Sequence, residues 1–212
     1  MPRILKDPEV RKNEIMDTAW ELFNSKGYEK TSVLDILEKA GIAKGTLYYY
    51  FKSKEEILDA VINRTLDEGA ARLEVIISGN SMNAVEKIKA VVLNGLKETE
   101  SEEHVLEYLH REENSIMHLK LLVQTIYKFT PVISKIIDQG IEEGLFKTRY
   151  PVQVTEFVMV ISSFLLDPSI FPWSKEQYML KLKALEDMLE TMLRCGEGTF
   201  GFMSEVIEGN IF

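Results

Sequence analysis

Residues 41–58 read GIAKGTLYYYFKSKEEIL, and this stretch constrains the fold more than any other part of the chain. Gly41 closes a helical pattern and supplies a turn, because glycine enters the left-handed conformation at a helix end without a side-chain penalty. A short helix over 44–50 follows, with Leu47 and Phe51 four residues apart and facing inward. Ser53 then opens another helix as a capping box, with Glu56 reaching back to the cap's own N–H. Two helices across a tight turn, fastened to a third, form a helix-turn-helix.

The segments around this motif are helical too. Asp7 and Pro8 open a first helix with an apolar stripe of Ile15, Ala19, Leu22 and Phe23 that stops at Gly27. Thr31 or Ser32 caps a short second helix bearing Val33, Ile36 and Leu37. The helix opened by Ser53 runs without proline to about Ser78, and further helices are expected over 82–99 and 102–113. Thr130-Pro131 and Tyr150-Pro151 read as restarts, the first helix ending near Gly140 to Gly144. No alternating strand pattern stands out, so the expected fold is all-α: an N-terminal three-helix unit over 1–53 and a larger helical unit over 54–212.

Charge divides along the same line. Residues 1–64 hold eleven Lys/Arg and eleven Asp/Glu, so the remaining 14 basic and 23 acidic residues carry the whole net charge of −9. Lys44, Lys52 and Lys54 have no acidic neighbour between Gly41 and Lys54. An acidic body repels nucleic acid and leaves the N-terminal face as the one to meet it. The longest apolar run, Phe157 to Leu166, is ten residues and includes two serines, against roughly 20 for a membrane span. With no signal peptide and a single cysteine, Cys195, the expected location is a reducing cytoplasm.

Two later segments read as interface helices. Val152 to Leu166 is apolar almost all round, through Phe157, Ile161 and Phe164. Ser174-Lys175-Glu176-Gln177 opens a helix with Leu182, Leu185, Leu189 and Met192 in a coiled-coil-like seam. These seven residues are the expected homodimer interface; the competing reading is that both helices fill the intrachain core.

The N-terminal residues resemble the tetracycline-repressor (TetR) family of transcriptional regulators. The match runs from the first helix ending in Gly27-Tyr28, through Thr31-Ser32-Val33, Ile36 and Ala40-Gly41-Ile42, to Lys44-Gly45-Thr46-Leu47-Tyr48-Tyr49-Tyr50-Phe51 and Lys52-Ser53-Lys54-Glu55-Glu56-Ile57-Leu58. The resemblance implies a homodimer that binds a palindromic double-stranded DNA operator, usually as a repressor, and releases it when a small-molecule effector enters the C-terminal unit. It also implies DNA contacts at Thr31, Lys44, Thr46, Tyr48, Tyr49, Tyr50 and Lys54.

Residue chemistry points the same way. Lys44 at the recognition-helix start reaches a phosphate or a guanine edge. Gly45 lets the backbone approach the groove. Thr46 and the tyrosines offer hydroxyls and apolar faces. A helix cannot bury three adjacent residues on one side, so at least one of Tyr48, Tyr49 and Tyr50 must be exposed. Thr31 at a helix start suits a phosphate. A phosphate would also explain Lys54, which sits against the dipole of its own helix.

Polar and aromatic residues mixed with leucines mark the expected effector region: His104, Tyr108, Met117, His118 and Tyr127, with Trp173 at a mouth. Ordinary core and surface is the competing reading. Glu107 and His110 have the Glu-x-x-His spacing of helical metal bundles, which need two such copies, so a metal-binding bundle stands as the alternative function. Gly196, Gly198 and Gly201 match dinucleotide-loop spacing without the preceding strand that loop requires. No metal, cofactor or catalytic triad is expected, and the tail 196–212 has no assignment.

Overall fold

The computed structural model describes residues 7–79, 81–96 and 115–211. Among them regular structure is helical throughout: α1 (Pro8–Lys26), α2 (Val33–Ala40), α3 (Lys44–Tyr50), α4 (Lys54–Ser78), α5 (Ala84–Leu96), α6 (Ser115–Glu142), α7 (Pro151–Val160), α8 (Lys175–Leu193) and α9 (Phe202–Ile211). The expected helix over 102–113, with Glu107 and His110, lies outside the described residues. The described residues group into two compact units, one drawn from Met1–Leu66 and Glu103–Leu121 and the other from Asp67–Glu102 and Leu122–Phe212.

The first unit is built on the stripe read from the sequence. Ile15, Ala19 and Phe23 of α1, Ile36 of α2, Leu47 of α3 and Ile57 and Leu58 of α4 are fully buried, with Phe51 2% exposed. Asp7 caps α1 through Glu9 N–H at 2.8 Å, and Ser32, not Thr31, caps α2 through Asp35 N–H at 3.1 Å. The Asp35 carboxylate closes the box by accepting from Ser32 N–H at 2.6 Å and pairs with Lys26 at 2.7 Å. Gly41 ends α2 at φ 62, ψ 38, the left-handed cap that sets the turn into α3. Ser53 caps α4 through Glu56 N–H, but the Glu56 carboxylate accepts from Lys52 N–H at 2.6 Å, one residue before the expected donor.

The second unit closes around Leu73, Ile77, Ala84, Ile136, Ile137, Phe146, Val154, Leu182, Leu185, Leu189, Leu193 and Phe200. Two expectations change here. Thr130-Pro131 does not restart a helix, because α6 runs unbroken through Pro131. The proline removes an N–H that would bond the Tyr127 carbonyl, and both residues are exposed, so water can take that place. The helix ends at Glu142, inside the expected span from Gly140 to Gly144, after passing through Gly140. That glycine is interior because Phe146 folds back over it, and a Cβ there would lie 2.1 Å from Phe146 Cδ2. Finally, α5 starts at Ala84 rather than Met82, since Asn83 and Glu86 form a capping box at 3.0 and 2.8 Å.

The unassigned tail forms α9. Glu186 and Glu190 of α8 accept from Ser204 and Phe200 N–H at 2.6 and 3.0 Å, fixing the α8–α9 corner. Gly196, Gly198 and Gly201 make this corner, with Gly198 at φ 79, so they follow a helix rather than a strand.

Candidate nucleic-acid interface

The recognition helix α3 is held from beneath and left open above. Leu47 is fully buried and Phe51 nearly so, while Tyr49 is 78% and Tyr48 44% exposed. Lys44 and Gly45 are also exposed, and Thr46 and Tyr50 are half-buried. Tyr48 is thus freer than Tyr50, and Tyr49 is the most exposed of the three. Tyr50 meets Tyr49 edge to face at 4.9 Å, and the Lys44 ammonium lies 5.7 Å from the Tyr48 ring. A Cβ added at Gly45 would meet nothing within 4 Å, so the chain's own packing does not require glycine there. Ala43 precedes α3 without a side-chain cap, so its first N–H groups point outward unclaimed by a side chain.

Two residues expected on this face have partners within the fold. Thr31 is 1% exposed, and its hydroxyl donates to the Gly27 carbonyl at 2.7 Å and the Leu22 carbonyl at 3.3 Å. The residue before the cap therefore points inward to tie α1 to the start of α2. Lys54 donates to the Tyr28 carbonyl at 2.8 Å and lies 4.2 Å from the Tyr28 ring centroid. Its unfavourable position in the first turn of α4 is explained by these partners without a phosphate.

The effector residues expected from sequence are described only in part. His104 and Tyr108 lie outside the described residues. Met117 is fully buried and belongs to the first unit, while Tyr127 of the second is 72% exposed. His118, also of the first unit, is half-buried. Trp173 donates to the Leu165 carbonyl at 2.9 Å, stacks on Phe171, and has Lys181 3.7 Å from its ring centroid.

What the second unit does contain is an apolar cavity of about 210 Å³, lined by Ile88, Val91 and Val92 of α5, Ile133, Ile136 and Ile137 of α6, Val154, Thr155, Val158 and Met159 of α7, and Ser162, Leu189, Phe200 and Met203. None of Met117, His118, Tyr127 and Trp173, the described effector candidates, is among its lining residues. The lining is Val and Ile at helical spacing, which no sequence pattern separates from ordinary core. Ser162 reaches it from the π-helical turn Ile161–Leu165 that ends α7. Such turns recur at functional sites.

The expected dimer residues also part company. Leu182, Leu185 and Leu189 are at most 5% exposed and fill their own chain's core, with Ile161 and Met192 half-buried against it. Phe157 at 57% and Phe164 at 43% do face outward, joined by Val160. On α8 the exposed apolar row is Leu180, Ala184 and Met188, one step round from the expected seam. Burial pushes the Cys195 thiol pKa up, which keeps it protonated. Among the described residues no His, Cys, Asp and Glu group could hold a metal ion, and no helix is long and apolar enough to cross a membrane.

A helix-turn-helix with an open aromatic and basic face, followed by a separate helical unit, defines a DNA-binding regulator class. Residues 15–61 match the family described as bacterial regulatory proteins, tetR family, and residues 97–188 match the tetracyclin repressor-like C-terminal domain. The chain belongs to the tetR family of bacterial regulatory proteins. The HTH-type transcriptional repressor KstR2 of Mycobacterium tuberculosis (strain ATCC 25618 / H37Rv) is 28% identical over 155 residues, 69% of this chain and 74% of that protein. The fatty acid metabolism regulator protein of Bacillus subtilis (strain 168) is 26% identical over 195 residues, 91% of this chain and 98% of that protein. In fold, the chain is similar to the crystal structure of FadR from Bacillus subtilis in complex with stearoyl-CoA, with a TM-score of 0.58, 22% identity and coverage of 85% of this chain and 97% of that one.

Proposed function

We propose that this protein is a homodimeric repressor that binds a palindromic operator through α3 and releases it when an apolar effector fills the cavity of the second unit. The observation that carries the DNA reading is α3 itself: Tyr49 at 78% exposure above a fully buried Leu47, beside a glycine that internal packing does not require. Lys44, Gly45, Thr46, Tyr48, Tyr49 and Tyr50 form the contact face, with residues 1–53 as the reading head. Phe157, Val160 and Phe164 with Leu180, Ala184 and Met188 form the dimer face, because a row of exposed apolar side chains on two neighbouring helices is what a partner helix pair covers.

The effector is an elongated apolar molecule. A volume of about 210 Å³ is below the roughly 300–1,000 Å³ that drug-sized ligands occupy, and among the described residues the walls offer the Thr155 and Ser162 hydroxyls. A short acyl chain fits these limits, and a relative named for fatty acid metabolism and a neighbour holding an acyl-CoA support an acyl ligand.

The test is fluorescence anisotropy on DNA upstream of the protein's own gene, with random DNA as competitor and short-chain acyl compounds added afterwards. Binding that survives competitor and collapses on addition of an acyl ligand is the expected result. Binding no tighter than to random DNA, on this DNA and on sequences selected from a random library, refutes the reading.

A further inference from the structure

Among the described residues, Lys87 and Glu186 are the charged side chains that are buried. Glu186 is accounted for by the α8–α9 corner. Lys87 of α5, 4% exposed, belongs neither to the DNA face nor to the lining of the cavity. Burying an ammonium is costly unless hydrogen bonds and nearby charge compensate it, so its partners explain its place.

The Lys87 ammonium donates to the Ile77 carbonyl, in the last turn of α4, and to Gln139 Oε1 of α6 at 2.7 Å. Carbonyls in the last turn of a helix have no partner within it, so Lys87 caps α4 from another helix. Gln139 continues the series, its Nε2 donating to the Met82 carbonyl at 3.1 Å and to the Glu143 carboxylate. Glu143 also accepts from the N–H of Ala84, the first residue of α5, at 2.9 Å. Hydrogen bonds from Gln139 and from Ala84 N–H, with the Lys87 charge adding, hold the Glu143 carboxyl pKa below its ordinary value. A cation and a carboxylate bridged by one amide thus fasten the end of α4 to the start of α5 and the end of α6. All of these residues belong to the second unit.

The fastening sits at the end of the cavity wall. Ile88 follows Lys87, and Val91 stands one turn further along the same face of α5; both line the cavity. Ile136, one turn before Gln139 on α6, lines it too. An occupant that parts α5 from α6 draws Lys87 away from Gln139 or from Ile77, because one side chain cannot follow both. α4 is continuous from Lys54 to Ser78, and its first turns supply Ile57 and Leu58 to the core of the first unit. What releases Ile77 therefore releases the far end of the helix on which the reading head is built.

We propose that Lys87 couples the cavity to operator binding: its ammonium holds the end of α4 in the position that binds DNA, and an effector that spreads α5 from α6 breaks that hold. This rests on the repressor reading above. A ligand shifts an equilibrium only through its different affinity for two arrangements, and the Lys87 bonds are what the spread arrangement loses.

The test is operator affinity of the full chain by fluorescence anisotropy, on an operator selected from a random library. Wild type is compared with Lys87→Met, Gln139→Met and the double variant, each alone and with hexanoate, methyl hexanoate or hexanoyl-CoA added. Methionine keeps an apolar stem and removes the hydrogen bonds. Gln139 is half-buried, so its variant stays readable even where Lys87→Met lowers the melting temperature. Without any acyl compound, each single variant is expected to bind operator at least about fivefold more weakly than wild type. The double variant is expected to be no weaker than Lys87→Met alone, because both changes break one series of bonds. The compound that releases wild type should release the variants by a smaller factor. Wild-type operator affinity in both single variants overturns the proposal, and so does a weakened variant that the compound still releases by the full wild-type factor. A wild type that none of the three compounds releases refutes the acyl-effector reading, while the comparison without them still decides whether Lys87 holds α4. A wild type that binds no selected operator refutes the repressor reading itself.

Discussion

Gly45 separates folding from function at a single residue. It lies in an exposed helix with open space where a Cβ would be, so Gly45→Ala should raise stability by about 0.5–1 kcal/mol through helix propensity alone. The same substitution should weaken operator binding, because the methyl enters the gap needed for the DNA backbone. Thermal melting and anisotropy on one sample check both halves, and unchanged DNA affinity would remove α3 from the interface. Asp35 gives a residue-level pH dependence. Hydrogen bonds from Lys26 and then Ser32 hold its carboxyl well below the usual carboxylate range. A depressed acid stabilises the fold at pH above its unfolded value near 3.9, and that contribution fades as pH falls toward the lower folded value. Asp35→Asn should therefore destabilise at pH 7, and its deficit against wild type should shrink steadily as pH falls below about 4, as melting curves across that range would reveal.

At the scale of elements, the helices that close on themselves were legible and those decided by a distant partner were not. α3 and α4 carry their own start and stop signals, from Gly41 to the Ser53 cap, and were read to the residue. The start of α6 was misread because Pro131 is a local breaker that this helix accommodates, while its end fell inside the expected span from Gly140 to Gly144. Gly140 is held by Phe146 contact, so Gly140→Ala should destabilise by about 1–3 kcal/mol, despite the better helix propensity of alanine. A neutral result in denaturant melts would mean that the ring moves aside. Thr130 tests the same helix from inside. Its hydroxyl is buried with no hydrogen-bond partner, so Thr130→Val should be neutral or stabilising by about 1 kcal/mol. The α8 seam failed for a related reason. Leu182, Leu185 and Leu189 have heptad spacing, and that spacing looks the same whether the partner helix belongs to the same chain or another.

At the scale of the whole molecule, the proposed DNA face was legible in the sequence and the apolar cavity was not. Lys44 to Tyr50 announces itself because exposed tyrosines and an unneeded glycine break the rules of ordinary folding. The cavity obeys those rules, since Val91, Val154 and Val158 are unremarkable core residues until the space between them is seen. Of the effector candidates chosen from sequence, Met117, His118, Tyr127 and Trp173 are described, and none is among the cavity's lining residues. If Phe157, Phe164 and Leu180 meet a second copy, Phe157→Glu with Leu180→Glu should halve the mass measured by light scattering at micromolar concentration. An unchanged mass would move the interface elsewhere.

The measurement that tests the central claim most directly is a hydroxyl-radical footprint of the protein on its selected operator, taken beside a Lys44→Ala/Tyr49→Ala variant of equal melting temperature. The account predicts two symmetric protected half-sites with centres about 34 Å apart, or a multiple of that, because two reading heads related by a twofold axis must meet successive major grooves. It predicts that the variant erases both protections together. A single unsymmetrical protection, or a footprint that survives loss of Lys44 and Tyr49, would contradict it.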